Sequence, residues 1–144
     1  MRPTYAITTV TWQRRAIFQN TENAQLLLDT LVRYRREGRY QLHAFSIMPE
    51  HLHVLLTPSA ENTIERCVQC IKGGFSHSIR KLLPGTIWQP GFFAHRIRNK
   101  DDFHYQRDYI AQNPSRRKLP NNSFVHTNHP GHLDTILVFE QDNL

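Results

Sequence analysis

Alternation of apolar and polar residues predicts four strands in this chain. Side chains in a strand point to opposite faces with period two, and the four segments are rich in β-branched and aromatic residues. Strands two and three are separated only by Pro49-Glu50, so they are expected to form a hairpin. The predicted strands cover residues 4–12, 40–48, 51–57 and, after a turn, the end of segment 88–98.

Apolar residues at helical spacing predict three helices between these strands. The first helix ends near Gly38, and the third begins at Asp101 and is expected to stop at Asn113, because Pro114 cannot continue the hydrogen-bond pattern. Gly73-Gly74 interrupts the second, which indicates either a close approach of another group or a kink. The apolar positions are 24, 27, 28, 31 and 32 in the first helix, and 64, 67, 68, 71, 75, 79 and 82 in the second.

The element order βαββαβα predicts an α+β fold, an antiparallel ferredoxin-like sheet with helices mainly on one face. The first and third strands are central in such a sheet, so the polar face of the third strand is expected to look outward. We predict a single domain over residues 1–144, with a core of about 4–118 and a C-terminal tail over 119–144.

Length and hydropathy exclude some classes of protein. The chain has 144 residues, of which 39% are hydrophobic, enough for one buried core. No run of 18 apolar residues occurs, so no membrane association is expected, and a cytoplasmic location follows by default.

A net charge of +6 favours a polyanionic partner, and nucleic acid above others. Arginine forks suit phosphate recognition, and the arginines occur in several clusters. The candidate DNA-binding residues are Arg14, Lys72, Arg96, Arg116 and Arg117.

Two histidines in the third strand are candidate metal ligands. His51 and His53 are two residues apart, so both project from the same face of the sheet. Neutral imidazole is a common metal ligand, but two half-buried polar residues on a sheet face would look the same in sequence.

The third helix contributes a second candidate pair. Tyr109 and Asn113 are four residues apart and share one helical face. A tyrosine hydroxyl is a weak nucleophile that can attack phosphorus when a cation polarises the phosphate. The amide oxygen of Asn113 could join His51 and His53 around Mg²⁺ or Mn²⁺. The alternatives are a core tyrosine and a helix-terminal asparagine.

Several segments resemble the HUH single-tyrosine transposases, particularly the REP-associated branch. Residues 48–55 (MPEHLHVL) resemble the His-hydrophobe-His motif, and residues 109–114 (YIAQNP) resemble the tyrosine motif. Segments 72–76, 87–93, 96–98 and 101–103 also resemble that branch. Ala111 stands where the branch usually has histidine, and the continuation after Pro114 also differs.

The resemblance implies a metal-dependent DNA transposase that cleaves and rejoins single-stranded, hairpin-forming DNA. Tyr109 would be the nucleophile of a 5′-phosphotyrosine intermediate, and His51, His53 and Asn113 would bind Mg²⁺ or Mn²⁺. The family resemblance leaves open whether the protein works as a monomer or as a homodimer.

Two other functions compete with this one. A sheet that binds single-stranded nucleic acid without cutting it would have the same charge and exposed aromatics. A structural zinc protein would use Cys67, Cys70 and late histidines, but their spacing matches no zinc motif and Cys67 lies on an apolar stripe.

Overall fold

The computed structural model describes residues 2–116, 124–125 and 133–134, with backbone only for 113–116 and 124–125. Among the described residues, no helix combines the length and the apolar character needed to cross a bilayer. The elements are β1 (Tyr5–Val10), α1 (Thr21–Arg36), β2 (Tyr40–Met48), β3 (His51–Pro58), α2 (Ile64–Ile79), β4 (Phe93–Arg96), α3 (Lys100–Arg116) and β5 (Phe124–Val125), with short 3-10 helices at Trp12–Arg14 and Ile17–Gln19.

The described strands form one sheet in the order β4-β1-β3-β2-β5, and each pairing is antiparallel. The predicted α+β class and the central position of β1 and β3 are therefore confirmed. The register sets Thr8 opposite His53 and Val10 opposite His51, while β2 sets Ser46 and Met48 against the same two histidines. Both histidines thus lie in the middle of the sheet, with a strand on each side.

Helices α1 and α2 cover the face of the sheet opposite the histidines. Leu52, Val54 and Leu56 of β3 point toward these helices and are at most 1% exposed. They form one cluster with the apolar stripes of α1 and α2, which confirms the positions that the helical periodicity predicted except Leu82, which lies beyond the end of α2 at Ile79 and is 75% exposed. This cluster is the main hydrophobic core. It holds β3 in place because the residues that alternate with the histidines are buried in it.

Helix α3 packs on the other face, which is the face of the histidines. Its Phe103 and Ile110 form a smaller cluster with Leu55 of β3 and Ala44 of β2. The expectation that this polar face simply looks outward is therefore wrong in part, because α3 covers it and leaves His51 only 9% exposed. Two of the three long helices still share one face, as predicted.

Three predicted element boundaries also change. The first strand ends at Val10, two residues before Trp12, where the chain turns into the first 3-10 helix. Helix α3 continues through Pro114 to Arg116, although an interior proline lacks the backbone N–H bond and its ring crowds the carbonyl four residues earlier. The N-cap of α3 is not Asp101: the side chain of Asn99 accepts a hydrogen bond from the Asp102 backbone N–H at 2.8 Å.

A buried polar network ties residue 134 of the predicted tail to the sheet. His43 is the extra residue of a bulge in β2, where the register with β3 shifts between Leu42 and Ala44. Its Nδ1 lies 2.7 Å from the backbone oxygen of Asp134, and its Nε2 lies 2.8 Å from the Thr57 hydroxyl. Burial lowers the pKa of His43 to about 4, against the opposite effect of the Asp134 hydrogen bond. His43 is therefore neutral at pH 7, with one ring nitrogen donating and the other accepting.

The carboxylate of Asp134 also fixes α1. Arg35 donates from Nε to Oδ2 at 2.9 Å and from a terminal nitrogen to Oδ1 at 3.0 Å, a bidentate pair. The Leu42 backbone N–H donates to the same carboxylate at 2.9 Å. Burial raises the pKa of Asp134, but these hydrogen bonds outweigh it and hold the pKa below its usual value. Asp134 therefore joins α1 and β2 as an ionised carboxylate.

The glycine pair in α2 has two different explanations. A Cβ atom on Gly74 would lie 2.8 Å from the Tyr34 ring and 3.1 Å from Thr30, both on α1. A Cβ atom on Gly73 would meet nothing within 4 Å. Gly74 therefore permits the close approach of α1 and α2, whereas Gly73 has no packing requirement.

Alanine at these two positions is expected to change stability in opposite directions. Gly74→Ala should lower the free energy of unfolding by ~1–3 kcal/mol, because the methyl group overpacks the contact with Tyr34. Gly73→Ala should raise it by up to ~1 kcal/mol, because alanine favours the helix and the site is open. Urea denaturation of both variants measures the difference. Equal stabilisation by both would show that the Tyr34 ring moves aside and that Gly74 is not a packing requirement.

Candidate active site

The two histidines of β3 lie against each other on the face covered by α3. The ring centroids of His51 and His53 are 4.4 Å apart, with an interplanar angle of 84°. His51 is buried and His53 is half-buried. The strand period predicted that they share a face, and the structure brings the two rings into contact.

A neighbouring side chain orients each imidazole. The Glu50 carboxylate lies 2.9 Å from Nδ1 of His51, and the Thr8 hydroxyl lies 2.8 Å from Nδ1 of His53. Partners on Nδ1 fix the ring orientation and direct Nε2 as the coordinating atom, which is the usual arrangement around a metal-binding histidine. Thr8 has this position because β1 pairs with β3 in the register that sets it opposite His53.

Tyr109 of α3 contacts the histidine pair at His53. Its ring centroid lies 6.3 Å from that of His53, with the rings edge to face at 86°. Tyr105, one turn earlier, stacks on Tyr109 at 6.3 Å and is itself 64% exposed. The structure thus joins the predicted nucleophile to the predicted metal ligands, although 56 residues separate His53 from Tyr109 in sequence.

The third predicted metal ligand is Asn113. Its backbone belongs to α3, one turn after Tyr109, and its side chain lies outside the described residues. Among the described side chains, no group of three or more His, Cys, Asp and Glu could hold a metal ion. The described donors are two imidazoles with oriented rings, and this pair fits a metal site that a third ligand would complete.

A cavity of about 300 Å³ lies between α3 and the sheet beside these residues. Side chains of His53, Tyr109 and Gln106 line it together with Phe93 and His95 of β4. Phe93 stands at its edge and is 71% exposed. The cavity therefore joins the histidine pair and the tyrosine to the edge strand, a connection that sequence spacing does not reveal.

The predicted DNA-binding residues are not gathered at this cavity. The Lys72 ammonium donates to the backbone oxygens of Gln89 at 2.8 Å and Gly91 at 2.9 Å, so it holds the loop before β4. Burial lowers its pKa. Arg96 lies opposite Tyr5, on the sheet face away from His53. DNA binding by Lys72 and Arg96 stays a prediction.

Three further arginines were predicted to bind DNA. Arg14 is exposed in the segment after β1, close in sequence to Thr11, whose backbone N–H donates to Glu50 at 2.9 Å. Arg116 is the last residue of α3 with a described backbone, and Arg117 lies outside the described residues. Arg14 is thus the predicted DNA ligand that lies on the segment next to the histidine end of β3.

The cysteine pair lies elsewhere. Cys67 is buried in the main core, and burial raises the pKa of its thiol to about 12. Cys70 is half-buried and reduced. A protonated core thiol is a poor metal ligand, since zinc binds the thiolate. The late histidines 126, 129 and 132 lie outside the described residues.

Several residues of the site escaped sequence reasoning. Thr8 and His95 reach the cavity only through strand pairing, which a single sequence does not show. Glu50 and Asp102 fell inside segments 48–55 and 101–103, which resemble the transposase branch, but neither was assigned a role in the site. A signal for Glu50 existed, since it directly precedes the histidine motif.

The fold and this face define the class of protein: an α+β protein that carries a histidine pair on the central strand and a tyrosine on the covering helix, within the two segments that resemble tyrosine transposases in sequence. Comparison with known proteins agrees. The chain belongs to the IS200-like transposase family, whose model matches residues 2–113.

Two similar proteins give the relationship more detail. A REP-associated tyrosine transposase of Escherichia coli K12 is 32% identical over 95 residues, which cover 65% of this chain and 56% of that protein. The match therefore spans little more than half of the relative. A solved structure of a REP-associated tyrosine transposase bound to a REP hairpin superposes with a TM-score of 0.69 at 24% identity, over 94% of both chains. That likeness shows the shared fold.

Proposed function

We propose that this protein is a metal-dependent transposase that cuts and rejoins single-stranded, hairpin-forming DNA through Tyr109. The observation that carries this proposal is the position of the Tyr109 ring, edge-on to His53 on the sheet face that holds both histidines. A tyrosine beside two oriented imidazoles is what a metal-assisted attack on phosphorus requires. The membership in a transposase family supports it.

The proposed cleavage is a single displacement at phosphorus. The Tyr109 oxygen forms a bond to phosphorus as the bond to the 3′-oxygen breaks, which gives a 5′-phosphotyrosine and a 3′-hydroxyl. Rejoining is the reverse reaction, in which a 3′-hydroxyl attacks the phosphotyrosine and releases Tyr109. The phosphotyrosine bond conserves the energy of the phosphodiester, so the cycle needs no ATP.

Three residues would hold Mg²⁺ or Mn²⁺: His51 and His53 through Nε2, and Asn113 through its amide oxygen. A divalent ion at this position would neutralise charge on the scissile phosphate and polarise its phosphorus. The protein's own contribution is orientation: Glu50 and Thr8 fix the two rings. Tyr105 stacks on the Tyr109 ring and supports its position on α3.

The DNA partner is supported by charge and by exposed aromatic rings. The net charge of +6 favours a phosphate backbone, and Arg14 is exposed three residues after Thr11, which bonds to the backbone oxygen of Glu50. Phe93 lines the cavity and exposes 71% of its surface, and Tyr105, which stacks on Tyr109, exposes 64%. Unpaired bases stack on such rings, so single-stranded DNA is the expected ligand near Tyr109. The hairpin preference is proposed from the relative whose structure contains a REP hairpin.

Covalent attachment to DNA tests this function directly. The full chain is incubated with Mg²⁺ and hairpin oligonucleotides that carry unpaired flanks. One set of oligonucleotides is labelled at the 5′ end and the other at the 3′ end. We expect a protein band that carries the 3′-terminal label on a denaturing gel, because Tyr109 is bound to the 5′ end of the fragment downstream of the cut, while the upstream fragment leaves with a 3′-hydroxyl. Binding in a native gel without any covalent band would instead favour the alternative, a binding module, for which the exposed rings of Phe93 and Tyr105 also suffice.

A further inference from the structure

A second histidine reaches the cavity from the edge strand. His95 of β4 pairs with Ala6 of β1, and Phe93 pairs with Thr8, so alternation directs His95 to the same face as His53. Its side chain is 31% exposed, and it lines the cavity together with Tyr109. Neither the histidine motif nor the tyrosine motif of the sequence includes it.

His95 is held by a carboxylate that is itself fixed. Its Nε2 lies 2.8 Å from Oδ2 of Asp102, which also accepts a hydrogen bond from the Arg98 backbone N–H at 2.9 Å. Burial raises the pKa of Asp102, but the hydrogen bonds from Arg98 and His95 outweigh it and leave the pKa below its usual value. An ionised Asp102 therefore accepts from Nε2–H, which leaves Nδ1 as the ring nitrogen that can exchange a proton with a ligand.

Helix α3 determines how far this pair lies from the nucleophile. One face of α3 carries Asp102, Gln106 and Tyr109, which are spaced by four and three positions. Gln106 and Tyr109 line the cavity, and Asp102 holds His95, which also lines it. Asp102 and Tyr109 are seven residues apart, which is ~10 Å along the helix axis. The cavity thus has the tyrosine toward one end and the His95–Asp102 pair toward the other.

We propose that His95 donates the proton to the leaving 3′-oxygen when Tyr109 attacks, and that Asp102 positions its ring for this transfer. The inference rests on the proposed function. In cleavage, the Tyr109 hydroxyl loses its proton to water as its oxygen bonds to phosphorus, and the electron pair of the breaking P–O3′ bond takes the proton from Nδ1 of protonated His95, which gives the 3′-hydroxyl and a neutral imidazole. In rejoining, the same nitrogen accepts the proton of the attacking 3′-hydroxyl, and the departing Tyr109 oxygen takes a proton from water.

The alternative role for His95, a base that deprotonates Tyr109, fits the geometry less well. A base must lie within hydrogen-bonding distance of the hydroxyl that it deprotonates. In an in-line displacement the leaving oxygen lies on the far side of phosphorus from the nucleophile. A histidine held by a residue two helical turns from Tyr109, across a shared cavity, suits the leaving oxygen.

A sulphur substitution at the leaving position tests the assignment. A 3′-thiolate leaves without a proton, so a bridging 3′-phosphorothiolate removes the need for an acid. With the natural oxygen linkage, His95→Ala should slow adduct formation by ~10²–10⁴-fold. With the 3′-sulphur linkage, the variant should react within about threefold of the wild type, since only the protonation step is bypassed. Both reactions are run in Mn²⁺, at the site that the wild type cleaves.

Three controls separate the outcomes. His77→Ala removes an exposed histidine of α2, on the other side of the sheet, and should leave both rates unchanged. Asp102→Asn should show a smaller version of the same sulphur rescue. DNA binding, measured by fluorescence anisotropy, should stay unchanged in His95→Ala. Equal loss with both linkages would overturn the role as proton donor, whereas absence of any adduct with the wild type would overturn the proposed function and this role with it.

Discussion

Replacement of Tyr109 by phenylalanine is expected to abolish covalent attachment to DNA while binding is retained. The ring would keep its edge-on contact with His53 and its stacking on Tyr105, so only the attacking oxygen is removed. Loss of a nucleophile cannot be compensated by the remaining residues, and we expect adduct formation to fall by at least ~10³-fold. The measurement is the denaturing gel with labelled hairpin DNA, together with anisotropy for binding.

Tyr105→Phe is the matched control for this experiment. It removes the same hydroxyl from the neighbouring turn of α3, on an exposed ring that stacks on Tyr109 at 6.3 Å. We expect this variant to form the adduct at close to the wild-type rate, because stacking needs the ring and not the hydroxyl. If Tyr109→Phe kept the adduct and Tyr105→Phe lost it, the nucleophile would be Tyr105.

Much of this site follows from local periodicity in the sequence. A strand has period two, so His51 and His53 had to share a face, and a helix has period 3.6, so Tyr109 and Asn113 had to share another. The apolar residues that alternate with the histidines then determined which face of β3 enters the main core. These relations need only the sequence near each residue, which explains why they could be predicted.

The contacts that the sequence could not predict depend on pairing between elements that are distant along the chain. No local pattern tells that Thr8 lies opposite His53, or that α3 packs on the histidine face rather than beside α1 and α2. Helix α3 has a less regular apolar stripe than α2, so its packing face was hard to identify. The bulge at His43 depends on a carbonyl and a hydroxyl contributed by residues 134 and 57, and such a polar network leaves no periodic trace.

Pro114 shows that the helix propensity of one residue does not by itself predict where a helix ends. Proline costs about 3 kcal/mol in a helix interior, which made a stop at Asn113 the reasonable prediction. The helix nevertheless continues to Arg116. Packing of Phe103 and Ile110 against the sheet stabilises α3 upstream of the proline, so the helix need not end where the local preference changes.

Removal of either strand histidine is expected to abolish divalent-ion binding and, with it, cleavage. His51→Ala and His53→Ala each delete one of the two imidazoles whose rings lie 4.4 Å apart, leaving too few donors for a stable site. We expect the affinity for Mn²⁺ to fall by more than ~100-fold, since even loss of an orienting partner costs ~10–100-fold. Mn²⁺ titration followed by electron paramagnetic resonance measures binding independently of activity, and the adduct gel measures the consequence.

Substitutions of the residues that orient the two histidines, and of a remote histidine, serve as controls for this experiment. Glu50→Gln and Thr8→Val should weaken Mn²⁺ binding by a smaller factor, ~10–100-fold, because the rings keep Nε2 while Glu50→Gln removes the negative charge beside Nδ1 of His51 and Thr8→Val removes the hydroxyl beside Nδ1 of His53. His77→Ala, which removes an exposed imidazole from α2, should bind Mn²⁺ like the wild type. Unchanged Mn²⁺ affinity in His51→Ala and His53→Ala would show that the pair is not the metal site. Tyr109 would then have to attack without the polarising ion, and the contact between its ring and His53 would serve packing alone.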